Sequence, residues 1–145
     1  MRRIESDVAA TASALPARAK GLRVYYEVNS GPYAAGPGSF IGETLTRLGV
    51  RNIAPAQSGP FPRLNPEFVV RADPDVVMVG AHNAAEMALR PGWSSMRALR
   101  EQRLCVFPVA ESDTLVRPGP RMAEGARIMA RCLADKSPGA GKAKS

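Results

Sequence analysis

The stretch Asp75-Val76-Val77-Met78-Val79-Gly80 decides the fold of this chain. Its apolar residues are consecutive instead of alternating with polar ones, which is typical of a parallel strand buried on both faces. Such a strand needs helices on both sides of its sheet. We therefore predict an α/β fold, a single doubly wound lobe with a four-stranded parallel sheet and helices on both faces.

The other strands and helices are predicted from local patterns. Strands rich in β-branched and aromatic residues are expected at residues 22–28, 50–54 and 104–107. A helix follows Ser39, which can cap it. Another helix begins at Asn65-Pro66-Glu67, where an N-cap residue, a proline and an acid stand in the order that opens a helix.

Both ends of the chain carry helical patterns. Near the start, the apolar residues Ile4, Val8 and Leu15 recur at helical spacing, and Pro16 ends the helix. In an isolated lobe we expect this stripe to be exposed and to favour aggregation. A last helix is predicted to begin near Pro120.

The composition is that of a globular protein. Of the 145 residues, 45% are hydrophobic and 23% are charged, which excludes a largely disordered chain. The net charge is +7, but the arginines are scattered and only 6% of residues are aromatic. Nucleic-acid binding usually needs a basic stripe with aromatic platforms, so we expect none here. No apolar run approaches the roughly 18 residues of a membrane span, and the first residues lack the apolar segment of a signal peptide.

Two cysteines are too few for a disulfide framework. Cys105 and Cys132 both lie in apolar patterns. We therefore expect two buried thiols without chemical activity.

The candidate ligand-binding residues follow the predicted strands, because ligands of open α/β sheets bind beyond the carboxyl ends of the strands. Tyr33 lies in a loop rich in glycine and proline after the first strand, and His82, the only histidine, follows the third strand. Trp93 is interpreted either as a packing anchor or as part of a pocket wall. For His82, a solvated loop position is the simpler alternative.

No motif predicts catalysis or a resident cofactor. The stretch Gly36-Pro37-Gly38-Ser39-Phe40-Ile41-Gly42 resembles a dinucleotide-binding loop, but its glycine spacing is one residue too long. We interpret it as a loop and helix start that needs glycine. Ser39 lacks the flanking glycines of a nucleophile elbow. His82 with Glu86 one turn later is a weak metal-binding pattern, so no metal ligand is predicted.

Five segments of the chain stand in an order that is found in a known family. They are residues 24–27 with the loop 31–41, residues 48–53, residues 65–77, Pro91-Gly92-Trp93 and Arg117-Pro118-Gly119-Pro120-Arg121. In this order they resemble the C-terminal lobe of the periplasmic substrate-binding proteins that feed ABC importers of vitamin B12, iron–siderophores and haem. The resemblance covers roughly residues 20–134.

The resemblance implies a domain organisation, a location and partners. In that family one long helix joins two α/β lobes, and the ligand lies between them. Residues 1–19 then correspond to the end of the interlobe helix and a linker, residues 20–134 to the C-terminal lobe, and residues 135–145 to a flexible tail. An N-terminal lobe and a secretion signal would lie outside this chain. The implied partners are ABC permease subunits and a corrinoid, haem or ferric chelate, and the implied location is the periplasm.

The resemblance also implies a role for Glu67. In such families a glutamate at the start of a short helix in each lobe docks onto arginines of the permease, and Glu67 occupies the matching position. The alternative is that Glu67 only complements the helix dipole. Two other functions stay open: a small α/β enzyme that uses His82, and an interaction domain that kept the fold and lost transport.

Overall fold

The apolar run becomes one of two central strands in a single sheet. The computed structural model describes residues 2–29, 33–36, 38–55, 57, 59–87, 89–108 and 122–136, the side chains of residues 2–5, 18, 29, 82, 83 and 122 excepted. The strands are β1 (Arg23–Asn29), β2 (Tyr33–Ala34), β3 (Arg51–Asn52), β4 (Val76–Gly80) and β5 (Leu104–Phe107). The helices are α1 (Arg2–Ala14), α2 (Phe40–Arg47), α3 (Pro66–Ala72), α4 (Ala81–Met87), α5 (Arg97–Arg100) and α6 (Met122–Lys136), with 3-10 turns at Ala17–Ala19 and Trp93–Ser95.

The predicted doubly wound topology is confirmed. Four strands run parallel in the order β3-β1-β4-β5, with Val24 opposite Val76 and Val79 opposite Val106. The chain moves outward from β1 through α2 to β3, and then returns through α3 past β1 to β4. The sheet is therefore built in both directions from the boundary between β1 and β4.

A short fifth strand was not predicted. β2 pairs antiparallel with the end of β1, where Ala34 lies opposite Glu27 and Tyr33 opposite Asn29. β2 and β3 pair with the same edge of β1: β3 pairs with the beginning of the strand and β2 with its end. A two-residue strand inside a loop rich in glycine and proline has no alternating pattern, so sequence analysis could predict only a loop there.

Helices cover both faces of the sheet. All five residues of β4 are buried. Neighbouring residues of a strand point to opposite faces. Tyr26 and Met78 therefore pack with residues of α1, α2 and α6, while Tyr25 and Val77 pack with residues of α3, α4 and α5.

The predicted helix ends are confirmed by their caps. The Ser39 hydroxyl accepts a hydrogen bond from the Gly42 amide at 2.9 Å at the start of α2. The Asn65 side chain accepts one from the Glu67 amide at 2.8 Å at the start of α3. Beyond α2, Gly49 adopts φ +90°, a left-handed conformation that favours glycine after a helix.

Helix α1 is attached to the rest of the lobe, contrary to our expectation of an exposed stripe. Val8 and Leu15 are buried in the same core as Met129 of α6. The Lys20 ammonium donates to the carbonyl of Ala12 at 2.5 Å and lies 3.4 Å from the carbonyl of Leu48, so one cation serves the carboxyl ends of both α1 and α2. Val8 and Leu15 are covered because α6, which begins more than a hundred residues later, lies against α1; the side chain of Ile4 lies outside the described part of the protein.

Acidic side chains also fasten the amino-terminal edge of the sheet. Asp75 accepts a hydrogen bond from the Arg23 amide at 2.9 Å, and Asp73 accepts two from Arg97 at 3.0 and 2.7 Å. Burial disfavours the charged form of Asp73. The hydrogen bonds and charge of Arg97 outweigh that effect and hold the pKa of Asp73 below its usual range. This carboxylate therefore stays ionised and fixes the segment between α3 and β4.

The two cysteines form a disulfide, so our expectation of free thiols was wrong. Cys105 of β5 and Cys132 of α6 are joined, with their Cα atoms 6.1 Å apart. Their count gave no reason to pair them, since pairing depends on the approach of two elements 27 residues apart in sequence. The bond fastens the last strand of the sheet to the last helix described.

We predict that removal of this disulfide by the double substitution Cys105→Ala/Cys132→Ala lowers the free energy of unfolding by about 3–4 kcal/mol. The reason is the loop of 27 residues that the bond closes in the unfolded chain. Urea denaturation with and without a phosphine reductant measures the effect. The double variant is the control, because reductant should leave its midpoint unchanged. The prediction would be contradicted if the reductant also left the urea midpoint of the parent protein unchanged.

Candidate functional site

The carboxyl ends of β1 and β4 form the point where the chain reverses its direction across the sheet. Open α/β sheets bind ligands in the crevice at such a point, because the helices that follow the two strands lie on opposite faces. Here α2 follows β1 on one face, and α4 follows β4 on the other. The crevice lies beyond Asn29 and Gly80, the last residues of the two strands.

Two loops are joined by backbone hydrogen bonds along this edge. The Ala34 amide donates to the Pro62 carbonyl at 2.9 Å, and the Gly36 amide donates to the Pro60 carbonyl at 2.8 Å. A side chain at Gly36 could not be accommodated, because its Cβ would lie 2.2 Å from the Gly59 carbonyl oxygen. The segments 33–36 and 59–63, which we call the paired loops, therefore share one backbone arrangement.

The paired loops carry exposed aromatic side chains. Tyr33 is 38% exposed and Phe61 is 55% exposed. A backbone bridge joins Tyr33 to Arg63. The edge of the sheet thus presents aromatic surface next to a cationic residue.

Glu67 lies at the same edge. It is the second residue of α3, and its side chain is exposed. Because α3 leads into the parallel strand β4, its amino terminus lies at the carboxyl edge of the sheet. Asn65 and Pro66 fix this helix start, so the carboxylate extends from a rigid position into solvent.

The other two predicted site residues are placed differently from each other. His82 is the second residue of α4, directly after β4, and its side chain lies outside the described part of the protein. Trp93 is fully buried, and its ring meets that of Tyr25 edge-on at 5.7 Å between centroids. Tyr33, Glu67 and the backbone of His82 therefore share the carboxyl edge, whereas Trp93 lies inside the lobe.

A buried ion pair lies beneath this edge. Both carboxylate oxygens of Glu27 accept hydrogen bonds from the Arg90 guanidinium, at 2.5 and 2.9 Å, and the Glu27 side chain is fully buried. One of those oxygens also accepts from the Tyr25 hydroxyl at 2.8 Å. The guanidinium donates further to Glu86 at 2.7 Å and lies 4.6 Å above the Trp93 ring centroid.

The electrostatics of this cluster fix its protonation. Burial, the neighbouring Glu27 charge and the hydrogen bond to it all raise the pKa of Tyr25, so its hydroxyl remains a donor. The hydrogen bond to Glu27 raises the pKa of Arg90 above its usual value, despite partial burial. Beneath the crevice, Tyr25 therefore stays a neutral hydrogen-bond donor and Arg90 stays a cation. Among the described residues, no group of three or more His, Cys, Asp or Glu side chains could hold a metal ion.

Sequence analysis missed Glu27 and Arg90. The signal was present, since Glu27 interrupts an apolar strand that both helix layers cover. A charge buried in that way requires a partner of opposite sign. The identity of the partner could not be predicted, because Arg90 lies 63 residues away.

We predict that Arg90→Ala lowers the free energy of unfolding by about 3–5 kcal/mol, because it leaves the Glu27 carboxylate buried without its cation. Arg47→Ala is the matched control, since Arg47 also follows a glutamate by four residues but forms an exposed pair with Glu43. That control should cost less than about 0.5 kcal/mol. The double variant Glu27→Gln/Arg90→Met should recover part of the loss, since no charge then stays unpaired. Equal losses for Arg90→Ala and Arg47→Ala in urea titrations would refute this view of the cluster.

Comparisons with known proteins agree with this architecture. The family model described as periplasmic binding protein matches residues 1–109. The chain is 31% identical over 113 residues to the uncharacterized ABC transporter substrate-binding lipoprotein YvrC of Bacillus subtilis, covering 76% of this chain and 35% of that protein. It is 33% identical over 133 residues to a cobalamin-binding protein of Halobacterium salinarum, covering 87% of this chain and 36% of that protein.

The fold is also found among solved structures. A possible iron-binding, periplasmic solute-binding protein from Staphylococcus epidermidis superposes with a TM-score of 0.77 at 23% identity, covering 91% of this chain and 52% of that one. At this identity the likeness shows the fold alone. The chain spans about a third of the length of the curated relatives it matches.

The match to the family model can be compared with the helices and strands of the structure. Among the helices that the structure describes, none is both long enough and apolar enough to cross a membrane. The family model covers α1 and all five strands, including the loops at the carboxyl edge. The chain therefore belongs to the periplasmic binding protein family.

Proposed function

We propose that this chain forms one lobe of the substrate-binding component of an ABC importer for cobalamin, a ferric siderophore or haem. The component captures its ligand between two lobes and delivers it to the permease. The observation that carries the proposal is the pair of joined loops, which presents Tyr33 and Phe61 to solvent beside the carboxyl end of β1. The name of one relative, a cobalamin-binding protein, favours a ligand of this class.

The chemistry of the edge suits a large chelate. Corrinoids and haem have broad apolar faces and carry polar groups at their rims. Exposed aromatic rings pack against such faces, and a neighbouring guanidinium such as that of Arg63 can pair with an anionic rim group. Ligand sites of this kind are mostly apolar, with a few placed polar groups.

The predicted ligand-binding residues take different roles in this proposal. Tyr33 contacts the ligand from the paired loops, and His82 contacts it from the start of α4. Trp93 supports the pocket from inside, since its ring holds the Arg90 guanidinium against Glu27. Glu67 faces the permease rather than the ligand, because its carboxylate is exposed at a rigid helix start.

The disulfide bears on the proposed location. Disulfides persist in oxidising compartments and are rare in the cytosol. The bond between Cys105 and Cys132 therefore favours a position outside the cytoplasmic membrane, as the family resemblance implies. A periplasmic or lipid-anchored protein would meet that requirement.

We predict that this chain alone binds cyanocobalamin, haemin or a ferric siderophore with a dissociation constant weaker than about 10 μM. If the two lobes contribute equally, half of a nanomolar binding energy of about −12 kcal/mol leaves about −6 kcal/mol. Calorimetric titration measures the constant, and Tyr33→Ala should weaken whatever binding is seen by about fivefold or more. The matched control is Leu89→Ala, another exposed apolar residue. A sub-micromolar constant would show that the pocket lies wholly within this chain.

We predict that Glu67→Ala impairs docking to the permease and leaves ligand binding intact. A desolvated Glu–Arg contact loses about 2–5 kcal/mol when one partner is removed, so permease binding should fall at least about tenfold. A mere helix-dipole role is worth only about 0.3–1 kcal/mol, which would appear as reduced stability. The measurement uses a two-lobed protein in which this chain is joined to the preceding lobe of a curated relative.

The control for Glu67 is Glu43→Ala. Glu43 is also exposed and lies in the first turn of α2, on the other face of the sheet. Its loss should affect neither ligand affinity nor permease binding by more than about twofold. If Glu67→Ala lowers only the melting temperature while uptake stays at the parent level, Glu67 is a helix-terminus residue and the docking assignment fails.

A further inference from the structure

The disulfide forms part of the lining of a groove beside β5, and its half-cystines Cys105 and Cys132 are only 8% and 5% exposed. β5 is the last strand of the parallel series, and α6 lies beside it. Between them is a groove of about 330 Å³. Its lining includes both half-cystines, the apolar Ile128, and the charged residues Arg131, Asp135 and Lys136.

The groove carries a net positive charge. Arg131 is exposed and Lys136 is half-buried, and neither forms a salt bridge within the part of the chain that the structure describes. Asp135, the acid that lines the groove, is exposed. The β5 wall contributes only the uncharged residues 104–107. Two cations against one anion favour the approach of a negatively charged reagent.

We propose that the Cys105–Cys132 disulfide is a redox site that exchanges with anionic thiols through this groove while the protein stays folded. A thiolate enters the groove and attacks one sulfur in line with the S–S bond, and the other cysteine leaves as a thiolate. A second thiolate then attacks the resulting mixed disulfide and releases the first cysteine. Two thiols are thereby oxidised to one disulfide, and the protein disulfide is reduced by two electrons to two thiols.

The redox state of this site controls how firmly α1 is held. Cys132 lies on α6, and the buried residues Met129 and Leu133 on either side of it share one core with Val8 of α1 and with Leu15, which directly follows α1. Breaking the bond removes the covalent link between α6 and β5 and leaves only their apolar packing. Because α1 rests on α6, its attachment to the sheet weakens as well.

The experiment compares reduction by two thiols of opposite charge, 2-mercaptoethanesulfonate and cysteamine, at low ionic strength. Alkylation and mass spectrometry follow the loss of the disulfide in urea concentrations below the unfolding transition. Each rate is divided by the thiolate concentration and by the rate for the same protein unfolded in urea. We expect the normalised rate to be independent of urea and about fivefold or more greater for the anionic thiol, because the Coulomb energies of the two differ in sign.

Substitutions on α6 locate the effect. Arg131→Glu should reverse the preference between the two thiols. Arg131→Gln is the replacement if the glutamate variant does not fold, and it should abolish most of the preference. Arg127→Glu is the matched control, because it makes the same charge change one turn earlier on α6, outside this groove. It should leave the preference within about twofold of the parent, since screening weakens charges at longer range.

Two results would overturn the proposal. A reduction rate that rises steeply with urea and is equal for both thiols would show that the bond opens only by unfolding. Equal effects of Arg127→Glu and Arg131→Glu would show that net charge, not the groove, sets the preference. Hydrogen exchange gives an independent readout: reduction should speed exchange of the α1 amides relative to those of β1 and β4.

Discussion

The burial of β4 on both faces is the constraint from which the rest of the architecture follows. β4 has no polar side chain, so neither of its faces can be exposed to water, and helices must cover both faces of the sheet. α2 and α6 cover one face, while α3 and α4 cover the other. Covering both faces from one chain requires crossings in both directions from the centre, and a crevice arises where those directions part. The position of the candidate site therefore follows from the way in which helices cover both faces of the sheet.

The same constraint explains why a charged cluster lies under the crevice. Glu27 enters a sheet that leaves no solvent on either face, so its carboxylate is stable only with a dedicated cation and a hydroxyl donor. Arg90 supplies the positive charge, and its contact with Glu27 holds the segment after α4 against β1. An apolar pair at these positions would pack at lower electrostatic cost. The ion pair instead holds one loop at a definite place beside the strand ends, which is an advantage for a surface that has to fit a ligand.

The fold could be predicted from sequence because its signals are local. The apolar run of β4, the Asn65-Pro66-Glu67 helix start and the Ser39 cap each depend on residues within one or two turns of each other. The features that were missed depend on distant partners. The Cys105–Cys132 bond, the Glu27–Arg90 pair and the covering of α1 by α6 join elements that only the tertiary structure brings together. For the site, the position of Tyr33 and Glu67 at one edge followed from topology, whereas the burial of Trp93 followed from packing.

In the paired loops, backbone groups determine the course of the chain, whereas side chains determine the chemistry of the surface. Their hydrogen bonds run between backbone groups, which every residue type except proline offers in full. The exposed side chains at Tyr33 and Phe61 can therefore be exchanged without altering the course of either loop. Gly36 is the exception, because any larger residue would collide with the Gly59 carbonyl. The surface that this edge presents can thus change by single substitutions on a fixed backbone, whereas a change in the length of one loop would require a matching change in the other.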